Sequence, residues 1–147
     1  MVDILHRVGV VAPLDDVYNA VATPEGLASW WTADTKGTGE VGAPLALRFG
    51  ERGGFDPDVV ELDPSGHVRW RVTDGPEEWI GTEIDWALDQ RGEYTIVNFA
   101  HEGWREPVEF MHHCSTKWAT FLLSLKDLVE SGQGHPSPDD VQISDWH

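Results

Sequence analysis

The sequence predicts an α+β domain in which a curved antiparallel β-sheet wraps around a long C-terminal α-helix, with two short helices after the first strand. Three observations predict it. A period-two segment opens the chain, with Ile4, His6, Val8, Val10 and Ala12 on one face. Alternating segments separated by tight turns fill residues 45–101. One stripe at helical spacing then runs from Met111 to Val129.

Pro13 ends the first strand. Leu14, Val17, Tyr18 and Val21 follow helical spacing, with Asp15 and Asp16 in the first turn, where the helix dipole favours acids. Thr23-Pro24 restarts a helix as N-cap and first helical residue, and Leu27, Trp30 and Trp31 form its apolar face. Residues 36–42 are glycine-rich and read as a loop. Leu45, Leu47 and Phe49 begin the run of strands, and glycines and Pro57 punctuate residues 50–58. Val60 and Leu62 lead into Asp63-Pro64-Ser65-Gly66, a strong turn signal.

Val68, Trp70 and Val72 alternate with His67, Arg69 and Arg71, which describes a half-buried strand. Thr82, Ile84, Trp86 and Leu88 form the next inward face. After Arg91-Gly92, Thr95, Val97, Phe99 and His101 continue the meander. The period then turns helical at Met111, Cys114, Trp118, Phe121, Leu122, Leu125, Leu128 and Val129, and Gly132 stops the helix. This helix covers roughly 25 residues, or about 37 Å. Only a broad curved sheet can cover it.

The length of 147 residues suits one domain, spanning 1–132, with 133–147 left as a loose tail. A net charge of −16 disfavours nucleic acid and anionic membrane surfaces, which require cationic side chains. Cys114 is the only cysteine, so a reducing, cytoplasmic setting is expected. Residues 1–11 read as neither a signal peptide nor a membrane span.

These elements together resemble the START-like, or helix-grip, superfamily of polyketide cyclases and lipid-transport proteins. Within it the chain is most similar to the family named after the activator of the heat-shock-protein-90 ATPase. The resemblance rests on Ala12-Pro13 with Val17-Tyr18-Asn19-Ala20, and on Thr23-Pro24-Glu25-Gly26-Leu27 through Trp30-Trp31. It rests further on Val59-Val60-Glu61-Leu62-Asp63-Pro64 before Trp70, on His101-Glu102-Gly103-Trp104, and on the helix end Leu125 to Gly132. Lys117-Trp118 stands where the family often has Gly-Trp, and the tail beyond Gly134 has no recognised counterpart.

The resemblance implies a pocket between sheet and long helix. Its expected lining comes from Trp30, Trp31, Leu47, Phe49, Val60 and Trp70, then Ile84, Trp86, Val97, Phe99 and His101, with Met111, Cys114 and Trp118 on the helix. Eight tryptophans are many for one domain, and close packing of so many rings is hard, so some of them are expected to line a cavity. His101 points inward by parity, where it could orient a ligand, move a proton or serve structure alone.

His112-His113-Cys114 is not read as a metal site, because adjacent helical residues point in different directions. Glu61, Glu83 and Asp85 face outward by alternation. Cys114 lies on an apolar stripe and reads as inert. No catalytic constellation and no cofactor motif is found. The expected function is binding of a small hydrophobic or aromatic ligand, as carrier or sensor. The alternatives are a cyclase or hydratase using the same cavity, and a chaperone ATPase activator working through protein contacts. Apolar tail residues Val141, Ile143 and Trp146 make a homodimer an expectation.

Overall fold

The computed structural model describes residues 1–147. The chain runs β1 (Val2–Val11), α1 (Leu14–Ala22), α2 (Pro24–Trp30), β2 (Asp34–Lys36), β3 (Ala46–Arg48), a 3-10 turn (Gly50–Arg52), β4 (Gly54–Asp63), β5 (His67–Asp74), β6 (Glu83–Arg91), β7 (Tyr94–Trp104) and α3 (Glu109–Ser131). The strands form one antiparallel sheet in the order β1-β7-β6-β5-β4-β3-β2. The curved sheet grips α3, which is the helix-grip arrangement.

Local chemistry sets the helix ends. The Thr23 hydroxyl accepts the Gly26 N–H at 3.0 Å and Pro24 occupies the first position of α2. Gly132 adopts φ 87° and its N–H closes α3 onto the Leu128 carbonyl at 2.8 Å, a left-handed stop that glycine accepts without strain. Where α2 crosses α1, a Cβ on Gly26 would lie 2.6 Å from the Ala20 backbone, so only glycine permits this approach.

The inner face follows the predicted alternation on β5, β6 and β7, with Val68, Trp70, Ile84, Trp86, Val97, Phe99 and His101 all buried. Two readings change on β4. The punctuated stretch 54–58 is part of a ten-residue strand, and the sheet tolerates Pro57 because the pairing register shifts beside it. A second shift between Val59 and Glu61 makes Val60 the extra residue of a bulge. Val59 therefore points inward, 2% exposed, and Val60 is only half-buried. The short strand β2 lies in a stretch with no apolar alternation to reveal it.

The tail is not loose. Ser137 pairs with Thr32, its N–H bonding the Trp31 carbonyl at 2.8 Å and its carbonyl accepting the Ala33 N–H at 3.0 Å. The buried Ser124 hydroxyl donates to the Trp30 carbonyl at 2.7 Å and accepts the His135 N–H at 2.6 Å. Gly134 packs so closely on Ser29 and Trp30 that a side chain has no room.

The outer face carries charge. Arg69 pairs with Glu83 at 3.2 Å, Asp85 at 2.7 Å and Glu102 at 3.2 Å. His67 lies between Asp85 at 2.6 Å and Glu61 at 2.9 Å, one carboxylate on each ring nitrogen. Partial burial opposes charge on this imidazole, but the hydrogen bonds to Glu61 and Asp85 prevail and raise its pKa. The folded value lies above the unfolded value of about 6.5. The stabilisation is therefore full below that pH and is lost as pH rises through the folded value. A series of melting temperatures between about pH 6 and 9 should show this decline in the native chain and not in His67→Gln.

Candidate functional site

One cavity opens beside the first half of α3. It has a volume of about 160 Å³. Phe110, His113, Cys114, Lys117, Trp118 and Phe121 reach it from one stripe of α3, at the i, i+3, i+4 spacing that places side chains on a common face. Phe49, Arg52 and Phe55 border it from the β3–β4 corner, Pro76 and Trp79 from the β5–β6 connection, and Trp31 from the end of α2. Trp146 and His147 of the tail complete the wall.

Four of the residues expected at the pocket stand on this wall: Trp31, Phe49, Cys114 and Trp118. Trp30, Leu47, Trp70, Ile84, Trp86, Val97, Phe99 and His101 are buried but do not line it. They fill the concavity of the sheet through ring-on-ring packing. Trp30 stacks on Trp31 at 5.6 Å, Trp31 on Trp70 at 5.8 Å, and Phe99 meets Trp118 at 4.5 Å. Met111 is half-buried beside the core and does not reach the cavity. Val60 is turned away by the bulge.

Arg52, Phe55, Pro76, Trp79, Phe110, His113, Phe121, Trp146 and His147 also line the cavity, although the sequence does not single them out as pocket residues. The helical stripe through Cys114 and Trp118 carried the signal for Phe110, Lys117 and Phe121. Nothing local marked the loop and tail residues.

His101 is fully buried within a closed hydrogen-bond chain. The Trp118 indole N–H donates to Nδ1 at 3.2 Å, which places the neutral ring's proton on Nε2. Nε2 donates to the Thr82 hydroxyl at 2.8 Å, and that hydroxyl donates to the Trp79 carbonyl at 2.6 Å. Every proton in the chain has an acceptor, so His101 holds Trp118 and the Trp79 loop in place. Burial drives its pKa down to about 3.

The neighbouring thiol is equally quiet. Burial pushes Cys114 up to about 12, so it stays protonated at neutral pH. His112 faces solvent and His113 bonds the Ser144 hydroxyl at 2.8 Å, so the two do not converge with Cys114. The buried indole N–H of Trp79 finds only the Cys114 thiol, a weak acceptor.

The rim has the opposite character. Arg52 Nη2 lies 3.3 Å from Asp140 Oδ1 and 3.2 Å from the Ser137 hydroxyl. Lys117 forms an ion pair with Asp140 and donates to the main-chain oxygens of Val141 at 2.6 Å and His147 at 2.9 Å. Burial works against the Asp140 carboxylate, yet Lys117 and Arg52 hold its pKa below the ordinary value.

A seven-stranded antiparallel sheet gripping one long helix, with an apolar cavity between them, defines a protein of the START-like, helix-grip superfamily. The chain belongs to the family described as activator of Hsp90 ATPase homolog 1-like protein, whose pattern matches residues 11–130. The solution structure of the Aha1 dimer from Colwellia psychrerythraea is 46% identical, with a TM-score of 0.84 over 91% of this chain and 100% of that one. DynU16, from the dynemicin biosynthetic locus, is 25% identical, with a TM-score of 0.76 over 90% of this chain and 48% of that one. CalU16 from Micromonospora echinospora shares the fold at 22% identity, with a TM-score of 0.74 over 92% and 77%. No curated protein matches the chain. No helix is long and apolar enough to cross a membrane.

The buried histidine makes a sharp prediction. Its folded pKa lies below the unfolded value of about 6.5, so the unfolded chain takes up the proton first. Its contribution to stability is full above that pH and falls by up to ~1.4 kcal/mol per unit as pH drops toward about 3. NMR should show no imidazole titration at His101 between about pH 8 and 5. A ring titrating near 6.5 would instead mean a wet, open site.

Proposed function

We propose that the chain binds a small, largely apolar ligand carrying an aromatic ring, as a carrier or sensor. The observation that carries this reading is the cavity of about 160 Å³ that opens between α3 and the β3–β4 corner, walled by Trp31, Phe49, Phe55, Trp79, Trp118 and Phe121. An apolar cavity of roughly 150 Å³ is large enough to take benzene. A structural neighbour from a biosynthetic locus, DynU16, is consistent with a small-molecule role. Catalysis receives less support, because His101 is sealed and neutral and Cys114 is held as the thiol.

The magnitude is modest. A single ring burying about 150 Å² gains about 4 kcal/mol at ~25 cal/mol per Å². That corresponds to a Kd near 1 mM at best. A natural ligand needs additional polar anchoring, or must displace part of the wall to bury more surface.

A titration with toluene, followed by the indole N–H resonances, tests the reading. Saturable shifts at Trp31, Trp79 and Trp118 are expected at low-millimolar toluene. Cys114→Met, which adds volume to the wall, should weaken the effect several-fold. Linear, unsaturable shifts in the native chain would remove the proposal.

A second reading is a homodimer that stimulates an Hsp90 ATPase through protein contacts. It is favoured by the 46% identity to a protein named as an Aha1 dimer. Light scattering should give twice the chain mass, and the chain should raise the ATPase rate of the chaperone in a concentration-dependent way. A monomeric mass and an unchanged rate would end this reading.

A further inference from the structure

We infer that the cavity is built for an aromatic carboxylate, and that residues 137–147 occupy its anion-binding mouth as an internal competitor. The inference rests on the ligand-binding reading above and names the ligand's second half. Two observations carry it.

The first is charge placement. The chain has 26 acidic side chains against 10 lysines and arginines. Even so, two of those cations, Arg52 and Lys117, stand on the wall of its apolar cavity. They come from separate elements, the 3-10 turn and α3, and meet at the single carboxylate of Asp140. Asp145 near His113 and Glu78 near Cys114 are the other acids felt at this wall, and neither forms an ion pair with Arg52 or Lys117. A guanidinium with a neighbouring ammonium is a strong receptor for a carboxylate when water is partly excluded. The Lys117 and Asp140 side chains are only 13% and 3% exposed.

The second is what the tail presents. It supplies the Asp140 carboxylate and the main-chain oxygens of Val141 and His147 to the cations. It lays the Trp146 ring against Phe110 at 6.2 Å and His113 at 5.6 Å. An acidic oxygen pair plus an aromatic ring is the chemistry the site would recognise in a ligand. The tail lies beyond the family match, which ends at residue 130. Trp146 remains 46% exposed, so its displacement uncovers little buried surface.

The test uses the full chain and two probes that share a ring, toluene and phenylacetate. Binding is followed by the same indole resonances and by calorimetry. Phenylacetate is expected to bind the native chain, and Asp140→Asn should tighten it about tenfold while leaving toluene within twofold. Trp146→Ala should also favour phenylacetate over toluene. Lys117→Met should lower the affinity for phenylacetate relative to toluene about tenfold, and Lys117→Gln serves if the methionine variant is poorly folded by its amide spectrum. If toluene saturates while phenylacetate responds to none of these changes, the anionic reading is overturned and the apolar cavity stands. If neither probe saturates in any form, the ligand-binding reading falls and this inference with it.

Discussion

The structure depends on the burial of seven tryptophans between one curved sheet and one helix. Trp30, Trp31, Trp70, Trp79, Trp86, Trp104 and Trp118 are all at most 9% exposed. Trp31 and Trp118 meet at 4.9 Å, where the end of α2, the sheet and α3 come together. Rings of this size supply much apolar area but few ways to pack, so their stacked and edge-on pairs dictate how far α3 stands from the sheet. The cavity is the space that this packing leaves at one end of the helix, where the side chains give way to the β3–β4 corner.

The indole N–H groups impose a further constraint. Trp30 meets its need at the Ala20 carbonyl, 2.8 Å away, and thereby ties α2 to α1. Trp118 meets its need at His101, which passes the demand through Thr82 to the Trp79 carbonyl. The histidine is thus an adaptor that lets a helix tryptophan, a sheet edge and a loop share one dry site. Removing it would orphan the Trp118 donor, costing about 1–3 kcal/mol, while the Thr82 hydroxyl would keep its bond to the Trp79 carbonyl. A polar residue in this position serves the fold.

The rim of the cavity is where reading the chain element by element fell short. The alternation in β5 to β7 and the stripe on α3 were legible because each follows a local period. His101, Trp118 and Phe99 were correctly placed inward on that basis. Parity says which side of a sheet a residue faces, but not whether it meets a neighbour or empty space. Eight of the expected cavity residues therefore proved to be filled core. Val60 failed for a related reason, since one extra residue in a strand reverses parity and the bulge depends on the partner strand. Arg52, Trp79 and Trp146 lie in turns and tail, where no period exists to orient them.

The sequence by itself determined the order of elements, the helix caps at Thr23 and Gly132, the inward faces of the central strands, the outward acids and the family. Each of these is written in residues a few positions apart. Only the tertiary structure decided where the cavity lies, that Arg52 and Lys117 share Asp140, that His101 is sealed, and that residues 133–147 fold back onto Trp30, Trp31 and Ser124. Arg52 and Asp140 are 88 residues apart in the chain. No local preference can specify such a pair, because it forms only once the sheet has curved around the helix.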